Sequence, residues 1–249
     1  MILNVGHPQS RLWRYTHVLR HRRSWIIMAA VVIIAGVLAA SGFFDGVDWT
    51  NLLDAVLRTT YRLAFAYGIA VMIGVALGLI VGWSPLAEVL FPVFDILQNI
   101  PSFALIPFFI YFFGFTDFMI ILFAVSSIVW PILFAVLTAI KNAHRDLDDA
   151  ATIFGAVGWK RIPAYLAPLS VPAILTGSIV GVAIGWESVI GAEIISHAAG
   201  YGAFAVSANA VGVSRSAIAG MLAILIIVFI INRLVWTPLL EDSAKRYSA

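Results

Sequence analysis

The sequence predicts an all-α membrane protein that crosses a bilayer about six times, and two observations support this fold class. Hydrophobic residues occupy 62% of the 249 positions and charged residues only 11%, less than half of the ~25% that soluble domains carry. Long apolar runs also recur along the chain, and a spanning helix needs about 20 mostly apolar residues. A chain of this length therefore holds roughly six spans and their links, without a separate soluble domain.

Six apolar runs are long enough to be transmembrane spans. The first run follows a basic stretch, but it is about 20 residues long, whereas the apolar core of a cleavable signal peptide has roughly 7 to 15 residues. We therefore expect this run to be retained as a span. The predicted spans are Trp25 to Phe44, Leu63 to Trp83, Val89 to Phe113, Phe118 to Ile140, Leu169 to Ile195 and Ala217 to Trp236.

The positions of Lys and Arg predict the orientation of the chain. Positive charges are concentrated in the N-terminal segment 1–24, in the loop 141–168 after the fourth span, and in the tail 241–249. The positive-inside rule therefore places both termini and this loop in the cytoplasm, with the transmembrane region over 25–240. Three arginines on the outer side depart from the pattern, namely Arg58, Arg62 and Arg215.

Glycines recur at every fourth position in the second and fifth spans, which places each set on one helix face. Because glycine lets another backbone approach closely, we expect these two spans to pack at the centre of the bundle. The six glycines are Gly74, Gly78, Gly82, Gly177, Gly181 and Gly185. Proline interrupts the third span, and broken helices are tolerated where they are buried or line a cavity. We therefore expect a pathway near Asn99 to Pro107.

The sequence contains no recognisable catalytic or metal-binding motif. It has no cysteine, and none of its three lysines follows a glycine, so a phosphate-binding loop of the G-x-x-x-x-G-K type is excluded. His197 stands alone near the outer end of the fifth span and fits an interfacial polar residue better than a metal ligand. The net charge of +2 gives no indication of nucleic-acid binding. We expect no catalytic residue, metal or cofactor in this chain.

Four ionisable side chains are predicted to lie at membrane depth: Arg62, Asp95, Glu187 and Glu193. Because charges are costly in a bilayer, each is expected to line water, bind a partner or mark a pathway. Three roles are open for Arg62: an ion pair with Glu187 or Glu193, contact with a passing anion, or a charge that extends to the membrane interface. The candidate pathway residues are Arg62, Gln98, Asn99, Pro101, Glu187 and Glu193.

The loop between the fourth and fifth spans contains a predicted surface helix. Acidic residues from Asp146 onward favour a helix N-terminus, the alanines that follow favour helix, and Gly155 or Gly158 would end it. Mixed apolar and charged residues outside the bilayer indicate a docking element for a soluble partner.

This loop resembles the coupling-loop signature of ATP-binding-cassette (ABC) importer permeases, which reads E-A-A-x-x-x-G and, after nine residues, I-x-L-P. The matching positions are Asp149, Ala150, Ala151, Gly155 and Pro168. The chain departs from the signature at Asp149, Tyr165 and Ala167, where the family has Glu, Ile and Leu. The resemblance implies that the loop couples this chain to ATPase subunits.

Further motifs resemble the permeases for nitrate, sulfonate, taurine and bicarbonate. They are Thr60 to Arg62, Leu97 to Pro107, Glu193 with Gly200 and Gly202, and Asn232 to Leu239. The resemblance implies a type I ABC importer permease fold in a bacterial cytoplasmic (inner) membrane, with a small oxyanion or sulfonate as the solute. It also implies a second, identical or homologous permease subunit, two cytoplasmic ATPase subunits that bind ATP and Mg, and an extracytoplasmic solute-binding protein.

Two alternatives follow from the same residues. An ion-coupled secondary transporter or channel would use Asp95, Glu187 and Glu193 to carry protons or ions, and proline-broken spans fit that mechanism. The solute could also be a thiamine-precursor-like or other small organic molecule, because aromatic residues such as Phe103, Phe108 and Tyr111 suit either class of solute. Glu187 stands where the family is expected to have an uncharged residue, which argues against an anionic solute.

Overall fold

The computed structural model describes residues 39–209 and 215–247, together with residues 29, 32, 33, 36 and 37. The chain divides into two units, Met1–Val47 and Asp48–Ala249. The described residues of the first unit are helical up to Ala40 and form a turn over 41–46. The basic segment 1–24 and nine of the twenty residues of the span predicted from Trp25 to Phe44 lie outside the described residues.

The second unit consists of helices joined by short links. Its α-helices are α1 (Trp49–Trp83), α2 (Ala87–Gln98), α3 (Ile106–Phe113), α4 (Asp117–Lys141), α5 (Arg145–Ile153), α6 (Ala167–Ser196), α7 (Tyr201–Asn209), α8 (Arg215–Ile231) and α9 (Thr237–Tyr247). Segments of 3-10 helix (Ser102–Leu105, Gly158–Lys160) and of π-helix (Ile162–Leu166, Asn232–Trp236) connect some of them. No strand occurs among the described residues, which confirms the predicted all-α class for this part of the chain.

Four helical segments are long and apolar enough to cross a bilayer: Trp49–Trp83, Asp117–Lys141, Gly158–Ser196 and Arg215–Arg246. A fifth candidate is a bent pair, in which Ala87–Gln98 and Ser102–Phe113 meet at 82°. The described residues therefore contain four spans, or five if the bent pair is one span, against the six that the sequence predicts.

The third predicted span, Val89 to Phe113, is not a continuous helix. The break falls at Pro101, which has no N–H to donate and disfavours helical geometry in the residue before it. The Asn99 side-chain amide donates to the carbonyl oxygen of Asp95 at 2.6 Å and so closes the end of α2. The predicted interruption is thus a sharp bend between two short helices.

Helix α1 begins at Trp49, well before the start predicted at Leu63. The Asp48 carboxylate caps it by accepting a hydrogen bond from the Asn51 backbone N–H at 3.1 Å. Hydropathy alone missed this first part because it carries polar residues, among them the exposed ion pair of Asp54 and Arg58.

Helix α4 lies between the two glycine-bearing faces. A Cβ atom at Gly78 would lie 2.7 Å from the Val136 side chain, and one at Gly177 would lie 2.7 Å from the carbonyl oxygen of Pro131. The other ladder glycines are Gly74 and Gly82, which face Ile132 and Ile140, and Gly181 and Gly185, which face Ile128; Gly185 also lies against Leu63 of α1. The sequence predicted the two glycine-bearing spans at the centre of the bundle. In the structure α4 lies between them, because the glycines of α1 and those of α6 both leave room for α4.

Candidate functional site

A buried ion-pair network joins α1, α4 and α6 at one end of the bundle. Arg62 of α1 is only 3% exposed, and its guanidinium donates to Glu193 Oε1 at 2.5 Å and to Asp117 Oδ1 at 2.6 Å. Glu193 lies on α6 and is fully buried, whereas Asp117 begins α4 and remains more than half exposed. The Arg62 charge is therefore matched by two carboxylates from two other helices.

The Glu193 carboxylate also accepts hydrogen bonds from outside the ion pair. The Thr59 hydroxyl lies 2.9 and 2.8 Å from its two oxygens, and the Gly202 N–H donates to Oε2 at 2.9 Å. Thr59 in turn accepts a hydrogen bond from the Tyr201 N–H at 2.9 Å. A Cβ at Gly200 would lie 2.3 Å from this carboxylate. The glycines thus let the chain between α6 and α7 close over Glu193.

The structure pairs Arg62 with Glu193 and not with Glu187. The sequence did not indicate Asp117 as a partner of Arg62, because Asp117 lies in the link between the third and fourth predicted spans. Because Arg62 is buried and its charge is already matched by two carboxylates, the arrangement favours a structural role for Arg62 over contact with a passing anion.

Glu187 is the exposed acid of α6. It makes no ion pair among the described residues, and it lies one helical turn before Gly191, on the same face. The Phe103 ring packs on Gly191, where a Cβ would lie 2.2 Å from the ring. Glu187 is therefore placed one turn from the bend after α2. A charge on an exposed face of a span is disfavoured against lipid, which favours water or a protein partner on this face.

The polar residues at the bend bond locally. The Gln98 amide donates to Asp95 Oδ1 at 2.7 Å, and Pro101 is exposed at the turn. Within the described part of the chain, no hydrogen bond joins this bend to the Arg62 network. The predicted pathway residues thus fall into two groups, one around Arg62 and Glu193 and the other around the bend and Glu187.

The predicted surface helix of the loop is α5, and it ends in a Schellman motif. The Ala156 N–H donates to the Ala151 carbonyl at 2.9 Å, and the Gly155 N–H donates to the Thr152 carbonyl at 3.0 Å. Gly155 has φ +80°, a left-handed conformation that favours glycine. The glycine of the family signature therefore has a geometric reason, since it ends the helix and turns the chain.

Large apolar side chains project from this turn. Ile153 is 82% exposed and Phe154 is 89% exposed, and Asp149 is also exposed on α5. Ala150 and Ala151 are partly buried, and Pro168 lies in the first turn of α6. An exposed apolar pair beside an acid is typical of a protein-binding surface.

One contact ties the loop to the bundle, and a second joins two parts of the loop. The Trp83 ring at the end of α1 packs on the Trp159 ring with centroids 4.6 Å apart, and Arg161 forms an ion pair with Asp148 of α5. The loop therefore has fixed contacts at its base while Phe154 projects outward. Within the described ranges, no group of three or more His, Cys, Asp or Glu side chains could hold a metal ion.

These features define a class of protein. It is a multi-pass helical membrane protein whose loop, at one end of the bundle, is held by fixed contacts. Residues 70–235 match the family of binding-protein-dependent transport system inner membrane components, and the chain belongs to this family. The sequence resemblance to type I ABC importer permeases is thereby confirmed, and family membership displaces the ion-coupled alternative.

The relatives of this chain are transport permeases. It is 28% identical over 207 residues to the taurine transport system permease protein TauC of Escherichia coli (strain K12), an alignment that covers 83% of this chain and 73% of that protein. It is 25% identical over 205 residues to the nitrate import permease protein NrtB of Leptolyngbya laminosa, covering 82% and 72%. It is also 24% identical over 197 residues to a putative aliphatic sulfonates transport permease protein, SsuC, of Bacillus subtilis (strain 168), covering 79% and 71%.

Proposed function

We propose that this chain is the transmembrane permease subunit of an ATP-driven importer and forms part of the pathway for a small oxyanion or sulfonate. The exposed surface of Ile153 and Phe154, on a loop that matches the coupling signature, carries the proposal. The names of the relatives, which include taurine, nitrate and sulfonate permeases, support the solute class.

The proposed assembly contains two cytoplasmic ATPase subunits, a second permease subunit and an extracytoplasmic solute-binding protein. ATP and Mg bind to the ATPase subunits, and this chain supplies no catalytic residue or cofactor of its own. The chain lies in a bacterial cytoplasmic membrane with both termini and the loop 141–168 on the cytoplasmic side. The basic residues of that loop support the orientation.

Coupling is proposed to run from α5 into the bundle. Closure of the ATPase subunits on ATP pushes on the Phe154 surface, and Gly155 keeps α5 and its turn in one fixed shape. The Trp83–Trp159 contact and the π-helical segment before α6 pass this push to α1 and α6. Since both helices pack tightly on α4, the three move together as a rigid body, which is a common way to open one side of a transporter and close the other.

The two groups of polar residues have different proposed roles. Arg62 and Glu193 hold the outer ends of the helices together, while Gln98, Asn99, Pro101 and Glu187 lie at the bend and line the pathway. The exposed Glu187 beside a sharp bend supports this division, since irregular backbone at membrane depth is tolerated where it borders protein or water.

The docking step is tested by truncating an exposed aromatic side chain at each end of the bundle. Phe154→Ala should lower copurification of the ATPase subunits and lower the solute-stimulated ATP hydrolysis of the reconstituted transporter by about thirtyfold, because hot-spot aromatics contribute roughly 2 kcal/mol or more to interfaces. Phe115→Ala is the matched control, since Phe115 is 68% exposed next to the opposite end of α4. Equal effects of both changes would contradict docking at Phe154.

A further inference from the structure

A cavity opens at the loop end of the bundle, where four elements meet. The ends of α1 and α4, the start of α5 and the π-helical segment before α6 enclose about 440 Å³. The lining residues that matter here are Trp83, Lys141, Arg145, Asp148, Arg161 and Tyr165. This cavity is separate from the Phe154 surface and from the bend.

The cavity has an excess of positive charge. Three of its side chains are cationic, and its one acid, Asp148, is already paired with Arg161. Lys141 lies over the Phe91 ring at 5.2 Å and has no ion pair among the described residues. Arg145 likewise makes no ion pair in the described part of the chain. Two cations therefore remain for a ligand.

Tyr165 adds a hydrogen-bond donor that has no partner. Its hydroxyl is buried and makes no hydrogen bond among the described residues, while the Arg161 guanidinium lies over its ring at 5.6 Å. Leaving a buried hydroxyl unsatisfied costs roughly 1–3 kcal/mol. Tyr165 stands where the signature that this loop resembles has Ile, so this donor is a departure from that signature.

We infer that this cavity is a binding site for a phosphate-type oxyanion, held by Lys141 and Arg145, toward which the buried Tyr165 hydroxyl turns to donate a hydrogen bond. Two cations and a hydroxyl from different elements suit a ligand with several acceptor oxygens, and charge-assisted hydrogen bonds are the strong ones. The site does not depend on which solute crosses the membrane.

Two kinds of ligand with this oxyanion chemistry can reach the cavity: a lipid headgroup and a free ion. The Trp83 and Trp159 rings place it at the level of a membrane interface, where such aromatic residues are enriched, and basic pockets between spans on the cytoplasmic side bind anionic lipid headgroups. A free phosphate or sulfate ion from solution reaches the same place. Either ligand connects the end of α4 to α5 and to the π-helical segment before α6, and so stiffens the base of the coupling loop.

The test measures ligand-induced thermal stabilisation of the full chain in nanodiscs. One arm compares phosphatidylcholine discs with discs that contain phosphatidylglycerol, and the other titrates inorganic phosphate into phosphatidylcholine discs against chloride at equal ionic strength. Arg145→Ala should weaken binding of the ligand that stabilises the wild type by about tenfold, as expected for the loss of a charged hydrogen-bond donor. Tyr165→Phe should weaken this binding by about fivefold, as expected for the loss of a neutral donor. Lys160→Ala is the matched control, because Lys160 is an exposed cation of the same loop that does not line the cavity.

Stabilisation by phosphatidylglycerol alone assigns the site to a lipid headgroup, and stabilisation by phosphate as well assigns it to a free oxyanion. Tyr165→Phe removes only an unpaired hydroxyl, so without ligand this variant should be at least as stable as the wild type, which separates loss of binding from loss of folding. The inference is overturned if neither ligand stabilises the wild type, or if Lys160→Ala weakens binding as much as Arg145→Ala.

Discussion

Arg62 is a buried cation with a carboxylate partner on each of two other helices. Removing one member of a buried pair leaves the other charge without compensation, which costs roughly 3–5 kcal/mol. Arginine is suited to this position because its planar fork reaches two acceptors at once, whereas the lysine ammonium is a single point charge. The position therefore requires both the charge and the shape of arginine.

We expect Arg62→Ala to destabilise the protein strongly and Arg62→Lys to have an intermediate effect. Thermal unfolding in detergent measures both, and the Glu193→Gln change in an Arg62→Met background should recover part of the loss, because no lone buried charge then remains and Asp117 is more than half exposed. Arg58→Ala is the control one turn away, since Arg58 is paired with Asp54 in solvent and should change stability little. Equal losses at the two arginines would show that the buried network does not hold the bundle.

Glu187 should affect transport without affecting stability. If it borders the pathway of an anion, Glu187→Gln removes a like charge and should raise the uptake rate roughly fivefold, the scale of one Coulomb interaction at about 4 Å in water. Uptake of a labelled oxyanion into proteoliposomes measures this, and Glu193→Gln serves as the comparison that should lower stability instead. Unchanged or slower anion uptake by Glu187→Gln would remove Glu187 from the anion pathway.

At the scale of single elements, α5 and its cap show how a short motif fixes a surface. Gly155→Val should lower solute-stimulated ATP hydrolysis strongly, because a β-branched residue is strained at φ +80°. Gly155→Asn should retain more activity, since Asn adopts the left-handed conformation more readily. Hydrolysis by the reconstituted complex is the measurement, and wild-type coupling in Gly155→Val would refute a need for this turn.

The glycine faces of α1 and α6 should respond to an added methyl group in a graded way. Gly177→Ala should destabilise by about 1–3 kcal/mol, the typical cost of overpacking, because its Cβ would meet backbone atoms of Pro131 and Ile132. Gly82→Ala should cost less, since its nearest neighbour is the flexible end of Ile140, and Gly68→Ala should be harmless because nothing lies within 4 Å. Thermal unfolding of the three variants gives the order, and a reversed order would contradict the packing of α6 on α4.

At the scale of the whole molecule, the sequence predicted what depends on local composition. Hydropathy gave the positions of four spans, and the spacing of glycines gave the faces that pack. The hydropathy pattern did not predict that α1 begins at Trp49, because the first turns of this helix carry polar residues. The helix begins there because the Asp48 carboxylate caps it. The sequence also missed Asp117 as a partner of Arg62, since which residues meet across a bundle depends on how neighbouring helices are aligned along their axes.

The central position of α4 between two glycine-bearing helices has a consequence for biosynthesis. The chain emerges from the ribosome in order, so α4 enters the membrane when only α1, α2 and α3 are present to cover it, and the face that α6 covers stays open until α6 is complete. Arg62 is in the same situation, because Asp117 follows it after 55 residues and Glu193 only after 131. Nascent chains that stall before Ser196 therefore expose an open face of α4 and an incompletely neutralised Arg62. Membrane quality-control proteases and insertases encounter both features.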